Sequence, residues 1–301
     1  MDVLRDGSSW CFCFMMLSTE SLLIDPPSIE GRITKFLQTR LVESGQKGVV
    51  FGLSGGLDSS TVAALCVKAF RPDETLGLIM PHKESNPLDK EHALLVTKKF
   101  KIPYKIVDIT SAVEAVETDY PELVRTARTT KDEEFKTRIV TGNIKARTRM
   151  TNLYTVANAT NRLVVGSGDK SEMLIGYYTK YGDGGADIFP IADLYKTQVR
   201  ILARHLGVPE GIIAKPPSPG FWREHTAEAE IGMKYEQLDL ILYGLERFMK
   251  PKEIADQLNV PVETVAKVDK LVKSTEHKRR GGIVFKIGFR TPTLDWRIPL
   301  Q

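Results

Sequence analysis

The pattern of apolar and polar residues along the chain predicts strands that alternate with helices. Residues 49–53 form a short, mostly β-branched and aromatic run that is typical of a buried strand. Comparable runs at 76–80, 104–109 and 163–165 predict three more strands. Because segments with helical periodicity separate these strands, we expect an α/β fold with a doubly wound parallel sheet flanked by helices.

The segments between the strands repeat apolar residues at the spacing of a helix that is buried on one side. The first helix is predicted to begin with a cap at Ser28 and to end near Gly45. Further helices are predicted at 58–70, 87–100, 112–120, 143–159 and 196–206, and the C-terminal portion is predicted to be helical as far as Arg280, with a strand-like tail at 283–289. Two stretches break the pattern: residues 121–140 predict a mobile excursion, and residues 216–226 predict a flexible lid.

The first predicted strand runs into the sequence Ser-Gly-Gly-Leu-Asp-Ser-Ser, residues 54–60. Gly55 and Gly56 allow the backbone to turn sharply, and the helix that follows presents its free N–H groups to an anion. A carboxylate at Asp58 would repel a phosphate unless a divalent cation lay between them, so Asp58 predicts Mg²⁺. The loop is not a Walker A motif, because it lacks the lysine of that motif.

Composition agrees with an ordinary globular protein. Hydrophobic residues make up 42% of the chain and charged residues 27%, and the net charge of +4 suits anionic small molecules better than nucleic acid. The three cysteines lack the spacing of a zinc site or a disulfide framework. No apolar run approaches the roughly 18 residues of a membrane helix. We therefore expect a cytoplasmic protein without membrane or nucleic-acid partners.

The predicted domain organisation is simple. Residues 28–301 are expected to form a single domain, and residues 1–27 are an N-terminal extension of unknown role. The extension contains a dense apolar octet at 10–17, but it lacks the basic leader and the small-residue cleavage site of a signal peptide.

Five sequence motifs, in the same order, resemble those of the ammonia-dependent NAD synthetases. They are SGGLDSS at 54–60, NIKARTRM at 143–150, GSGDKSE at 166–172, YYTKYGDGGAD at 177–187 and EHKRR at 276–280. The resemblance implies the Rossmann-like fold of the N-type ATP pyrophosphatases, also called adenine nucleotide alpha hydrolase-like. It also implies a reaction in which ATP and ammonia amidate nicotinic acid adenine dinucleotide (deamido-NAD) through an acyl-adenylate, giving NAD, AMP and pyrophosphate.

The resemblance implies ligands for residues at matching positions. For ATP these are Gly52, Leu53, Ser54, Gly55, Gly56, Leu57, Asp58, Ser59, Ser167, Lys196 and Ser218. For Mg²⁺ they are Asp58 and Glu172, and for deamido-NAD they are Arg147, Lys180, Asp187, His277 and Lys278. No side chain is expected to act as a nucleophile, because adenylyl transfer depends on positioning and charge neutralisation. One departure is Gly281-Gly282, where relatives often have two prolines.

The resemblance also implies a homodimer, because the family places its substrate site at a subunit interface. Free ammonia is the expected nitrogen donor. Only about 27 residues precede the first synthetase helix, which is too few for a fused amidase domain. The possibility that a separate glutaminase delivers the ammonia stays open.

Two alternatives also stay open at this point. Another ligase with a pyrophosphatase loop, or a tRNA-modifying relative, would share residues 54–60, although the missing cysteine pair and the modest charge weigh against the latter. A DNA-binding regulator is the second alternative. It rests on residues 252–272, which resemble a helix-turn-helix with a turn at Val260-Pro261.

Overall fold

The computed structural model describes residues 16–124, 131–218 and 226–291. Within these ranges the strands are β1 (Val49–Gly52), β2 (Thr75–Ile79), β3 (Tyr104–Ile106) and β4 (Leu163–Val165). The helices are α1 (Pro26–Ser44), α2 (Leu57–Ala69), α3 (Pro87–Phe100), α4 (Thr110–Asp119), α5 (Pro121–Val124), α6 (Lys131–Thr160), α7 (Lys170–Ile175), α8 (Lys196–Leu206), α9 (Glu210–Ile213), α10 (Ala227–Ile231), α11 (Tyr235–Glu246), α12 (Pro251–Leu258), α13 (Val262–Ser274) and α14 (Glu276–Arg279). Short 3₁₀ turns occupy Thr19–Leu22 and Pro72–Glu74.

The four strands form one parallel sheet in the order β3-β2-β1-β4. Its register places Val50 between Leu76 of β2 and Val164 of β4. The chain moves outward from β1 to β3 and then crosses back to β4 on the other side of β1. The carboxyl ends of β1 and β4 therefore meet at a topological switch point, where ligands bind in folds of this kind. The predicted doubly wound parallel sheet is confirmed.

Helices pack on both faces of the sheet and form one hydrophobic core on each face. A third hydrophobic core lies among the C-terminal helices. On one face α1, α2 and α8 share a core around Leu65. On the other face α4 and α6 pack around Val113 and Leu153. The third core joins α11, α12 and α13 through buried side chains that include Ile254 and Val265. These last two residues belong to the helix-turn-helix-like segment, so packing against α11 accounts for its apolar pattern.

Two helices, α1 and α6, begin three or more residues earlier than the sequence predicted. α1 begins at Pro26, with Asp25 rather than Ser28 as its N-cap. The fixed φ and missing N–H of proline suit the first turn of a helix, which explains this start. α6 begins at Lys131 rather than at the predicted residue 143, so residues 131–140 of the predicted mobile excursion are helical. That stretch lacks a regular apolar stripe, but lysine, glutamate and arginine favour helix.

The predicted strand-like tail is wrong. Residues 281–290 are irregular, and within the described ranges no strand pairs with them. Alternation of apolar residues is not enough, because a strand needs a neighbour to complete its hydrogen bonds. β3 also ends at Ile106, short of the predicted residue 109. Residues 1–15 of the extension and 219–225 of the predicted lid lie outside the described residues.

In the part of the chain that the structure describes, no helix is both long enough and apolar enough to span a bilayer.

Candidate active site

The loop between β1 and α2 is held by hydrogen bonds among its own residues. The hydroxyl oxygens of Ser54 and Ser59 lie 2.9 Å apart, and the N–H of Gly56 donates to the Ser54 hydroxyl over 3.3 Å. α2 begins at Leu57, with Gly56 as its N-cap. The N-terminus of α2 therefore opens onto the loop, which is the arrangement that binds anions.

Only glycine fits at position 55 of this loop. Gly55 has a φ of +77°, and an added Cβ would lie 2.1 Å from the carbonyl oxygen of Asp89. We expect Gly55→Ala to lower the free energy of unfolding by more than about 2 kcal/mol, because the new carbon meets backbone rather than a flexible side chain. Gly45→Ala is the matched control: Gly45 has a φ of +66° but open space around it, so only about 1 kcal/mol of backbone strain is expected. Urea unfolding measures both variants, and equal losses would contradict the steric argument.

Three carboxylates surround the ammonium group of Lys196. Its Nζ lies 2.8 Å from Asp58 Oδ2, 2.5 Å from Asp169 Oδ2 and 2.8 Å from Glu172 Oε1. Asp58 belongs to the first turn of α2, and Lys196 is the first residue of α8. Asp169 is the N-cap of α7 and accepts a hydrogen bond from the N–H of Glu172 over 2.9 Å. Three helix N-termini therefore bring one cation and three acids together.

Burial and mutual interaction shift the pKa values of the groups in this cluster. Burial raises the pKa of Asp169 above its ordinary value, and Asp58 adds to this by repulsion. Burial raises the pKa of Glu172 well above its ordinary value, with repulsion from Asp169 in addition. For Lys196, burial lowers the pKa, but the three carboxylates outweigh this effect and the pKa rises well above its ordinary value. With all groups ionised, three negative charges and one positive charge leave a net charge of −2.

That net charge matches one divalent cation. The carboxylate oxygens of Asp58, Asp169 and Glu172 lie within 4.8 Å of one another, and Oδ1 of Asp58 is buried without a hydrogen-bond partner. Carboxylate oxygens are the ligands that Mg²⁺ prefers. Asp58 and Glu172 are about one-fifth exposed, whereas Asp169 is fully buried. The residues present could thus hold Mg²⁺ between Asp58 and Glu172, with Asp169 behind them.

A cavity of about 640 Å³ opens beyond the carboxyl ends of β1, β2 and β4. The predicted ligand residues in its wall are Gly52, Leu53, Ser54, Gly56, Leu57, Asp58, Ser59, Ser167, Glu172, Ser218 and Lys278. Gly55 is not in the wall; an added Cβ at this position would point towards the backbone of α3, at Asp89 and Ala93. Lys196 is also absent from the wall, because it is fully buried among the acids. The structure therefore collects nearly all of the predicted ATP and metal residues around one cavity.

A sequence model of the NAD synthase family matches residues 29–282 of the chain. The chain belongs to the NAD synthase family. The NH₃-dependent NAD(+) synthetase of Methanocaldococcus jannaschii is 47% identical over 251 residues, which cover 83% of this chain and 93% of that protein. The family predicted from the five motifs is confirmed, and with it an amide-forming ligase.

Solved structures of NAD synthase relatives share the fold. The NH₃-dependent NAD synthetase of Campylobacter jejuni, in complex with the nitrate ion, superposes with a TM-score of 0.71 at 29% identity, covering 88% of this chain and 100% of that one. The NMN synthetase of Francisella tularensis superposes with a TM-score of 0.75 at the same identity and coverage. These likenesses confirm the predicted fold class.

The residues that the NAD synthase resemblance assigns to the dinucleotide do not all meet in the cavity. Lys180 Nζ donates to the carbonyl of His277 over 2.7 Å, and Arg147 Nε donates to the carbonyl of Lys180 over 3.3 Å. These contacts link α6, the 177–187 loop and α14. Arg147 lines a separate open groove on α6, together with Tyr154 and Tyr181.

Asp187 and Lys278 are both engaged by protein atoms. Asp187 accepts hydrogen bonds from the Tyr154 hydroxyl over 2.8 Å and from the N–H of Val164 over 2.7 Å, so it joins α6 to β4. Lys278 Nζ donates to the carbonyl of Tyr178 over 2.9 Å, and burial lowers the pKa of this lysine. Of the five predicted dinucleotide residues, Lys278 is the one in the wall of the cavity.

The polar groups that support the three acids were not predicted from the sequence. Asp239 of α11 is fully buried and accepts hydrogen bonds from the Ser171 hydroxyl over 2.5 Å and from the N–H of Thr197 over 2.9 Å. The Ser171 hydroxyl accepts one from the N–H of Lys196 over 2.9 Å. Burial raises the pKa of Asp239 to about 6. Two features of the sequence could have indicated these groups. Asp239 is an aspartate within an apolar helix, and Asp169, which was also given no role, is an aspartate directly before a helix.

Proposed function

We propose that this chain amidates the nicotinate carboxylate of deamido-NAD with ammonia, using ATP and Mg²⁺, and releases NAD, AMP and pyrophosphate. The observation that carries the proposal is the cavity in which the Ser54–Ser59 loop lies beside Asp58 and Glu172. The loop offers N–H groups and hydroxyls to phosphates, and the acids offer ligands to the metal. The relative from M. jannaschii, an NH₃-dependent NAD(+) synthetase by name, supports the same reaction.

The chemistry requires activation before the amide can form, because a carboxylate is a poor electrophile. A carboxylate oxygen attacks the α-phosphorus of ATP, which gives an acyl-adenylate and pyrophosphate, and ammonia then displaces AMP. Both steps depend on alignment and charge neutralisation. Ser54, Ser59 and the N-terminus of α2 hold the phosphates in line, and Mg²⁺ held by Asp58 and Glu172 would neutralise part of their charge. Lys196 keeps the metal-binding acids together.

The open groove on α6 extends the proposed substrate site beyond the cavity. Arg147, Tyr154 and Tyr181 offer it one cation and two aromatic rings. Such side chains suit the phosphates and the base of a dinucleotide. We propose that a second copy of the chain covers this groove in a homodimer, as the resemblance implies.

The experiment that tests the proposed reaction is AMP release by the pure protein with deamido-NAD, ATP, Mg²⁺ and ammonium. Omission of deamido-NAD should abolish AMP release. Since one of the similar solved structures is an NMN synthetase, nicotinic acid mononucleotide is assayed in parallel. Faster turnover of the mononucleotide would show that the mononucleotide, not the dinucleotide, is the substrate. No AMP from either acceptor would refute the proposal.

The nitrogen source gives a separate prediction. We expect the pure protein to use ammonium chloride and not glutamine. Among the described residues the only cysteine is Cys66, which is fully buried, and burial raises the pKa of its thiol, so Cys66 is unsuited to act as a glutaminase nucleophile. Below the pKa of ammonium the rate should rise about tenfold per pH unit, since free NH₃ is the nucleophile. NAD formation is measured in ammonium-free buffer with each donor. Equal rates with glutamine would contradict the prediction.

A further inference from the structure

Lys215 is ion-paired with a residue whose backbone packs against the predicted phosphate-binding loop. Its Nζ is ion-paired with Asp89 Oδ1, the two side chains are 22% and 23% exposed, and both residues line the cavity. Asp89 belongs to the first turn of α3. Its carbonyl oxygen packs so closely on the loop that a Cβ on Gly55 would lie 2.1 Å away. The ion pair therefore lies at the edge of the Ser54–Ser59 loop.

Most other cations of the cavity wall, within the described residues, are already held by protein atoms. Lys278 donates to backbone carbonyls, and Arg149 Nε donates to the carbonyl of Met80 over 3.1 Å. Lys90 lines the cavity but is exposed. Lys196, outside the wall, is enclosed by three acids. The Ser54–Ser59 loop itself contains no lysine. Lys215 differs from these other cations because it is partly buried near the loop and is paired with a single carboxylate, that of Asp89.

We propose that Lys215 binds the β- and γ-phosphates of ATP and stabilises the pyrophosphate as it leaves. When the carboxylate oxygen bonds to the α-phosphorus, the bond from that phosphorus to the bridging oxygen breaks, and its electron pair stays on the pyrophosphate. A polyphosphate carries several negative charges and attracts the ammonium group more strongly than the one charge of Asp89. This role rests on the proposed function, since it takes pyrophosphate to be the leaving group.

A lysine that only screens Asp89 would behave differently, and a pair of substitutions separates the two roles. If Lys215 merely cancels the charge of Asp89, Lys215→Met exposes that charge to the phosphates, and adding Asp89→Asn restores binding. If Lys215 binds the phosphates, the second substitution restores little. Asp89→Asn alone should then leave ATP affinity unchanged or tighter, because the competing carboxylate is gone.

The experiment is calorimetric titration of the full chain with ATP–Mg²⁺, pyrophosphate–Mg²⁺ and AMP. We expect Lys215→Met to weaken ATP and pyrophosphate binding about tenfold or more, and AMP binding less than about twofold, because AMP lacks the β- and γ-phosphates. Lys215→Arg should keep most of the affinity. Lys273→Met, which removes an exposed lysine paired with Asp269, is the matched control. If the Met variant does not fold, Lys215→Gln replaces it.

Two results would overturn the role of Lys215. One is equal weakening of AMP and ATP, and the other is full recovery of pyrophosphate binding in the Lys215→Met, Asp89→Asn double variant. Failure of the proposed reaction looks different. In that case the wild-type protein binds ATP but releases no AMP with deamido-NAD and ammonium, whatever residue stands at position 215.

Discussion

Replacement of Asp58 or Glu172 with alanine is expected to lower kcat about a hundredfold to a thousandfold while the fold stays intact. In the proposed site, phosphate charge that Mg²⁺ would neutralise in the wild-type protein then faces the remaining acids directly. Both side chains are about one-fifth exposed, so their removal creates little buried void. Steady-state AMP release across a Mg²⁺ titration gives kcat, and thermal melting followed by circular dichroism gives Tm.

The control for these variants is Asp73→Ala, which removes an exposed carboxylate paired with Arg71. It should leave both kcat and Tm unchanged, since exposed ion pairs contribute little. Partial recovery of Asp58→Ala at high Mg²⁺ would support a metal still held by the remaining acids. Near-normal turnover of this variant at low Mg²⁺ would refute the metal site.

Lys196→Met is expected to abolish activity and also to destabilise the protein. Lys196 is fully buried, and its removal leaves three carboxylates without a cation. Removing one partner of a buried ion pair typically costs about 3–5 kcal/mol. For a domain of this size that loss lowers Tm by on the order of 10 °C. Added Mg²⁺ should recover part of the loss, because the cluster then carries three uncompensated negative charges rather than two.

Thermal melts of wild type, Lys196→Met and the surface control Lys273→Met, each with and without MgCl₂, measure this effect. The stabilisation by Mg²⁺ should be largest in Lys196→Met. If that variant melts at the wild-type temperature without Mg²⁺, Lys196 does not hold the acids together and the electrostatic account of the cluster is wrong.

Elements with strong local signals were predicted well. α3 matches its predicted range, because Asn86 caps it by accepting a hydrogen bond from Leu88 and Pro87 occupies its first position. β1 and the loop after it follow from an apolar run that stops at two glycines. The start of α6 and the tail after Arg280 were predicted wrongly. In both, the apolar pattern alone misled, since α6 extends over a charged stretch and the tail lacks a strand to pair with.

In the candidate site, too, residues within local motifs could be predicted, whereas residues that depend on tertiary contacts could not. Asp58 and Glu172 could be proposed as metal ligands from their motifs. Asp169, Lys215 and Asp239 were given no role, since each acts through a partner that is distant in sequence: Lys196, Asp89 and the start of α8.

The family, the alternation of strands and helices, and the glycine-rich turn at residues 54–60 could be predicted from the sequence, because they depend on short motifs and local periodicity. The surroundings of Lys196 could not be predicted in this way, because they depend on the tertiary structure. Lys196 and Asp58 are 138 positions apart, and they meet because β4 crosses back beside β1 and brings the starts of α2, α7 and α8 to one edge of the sheet. Strand order depends on packing over the whole chain, so no local sequence pattern predicts that Lys196 lies among three acids.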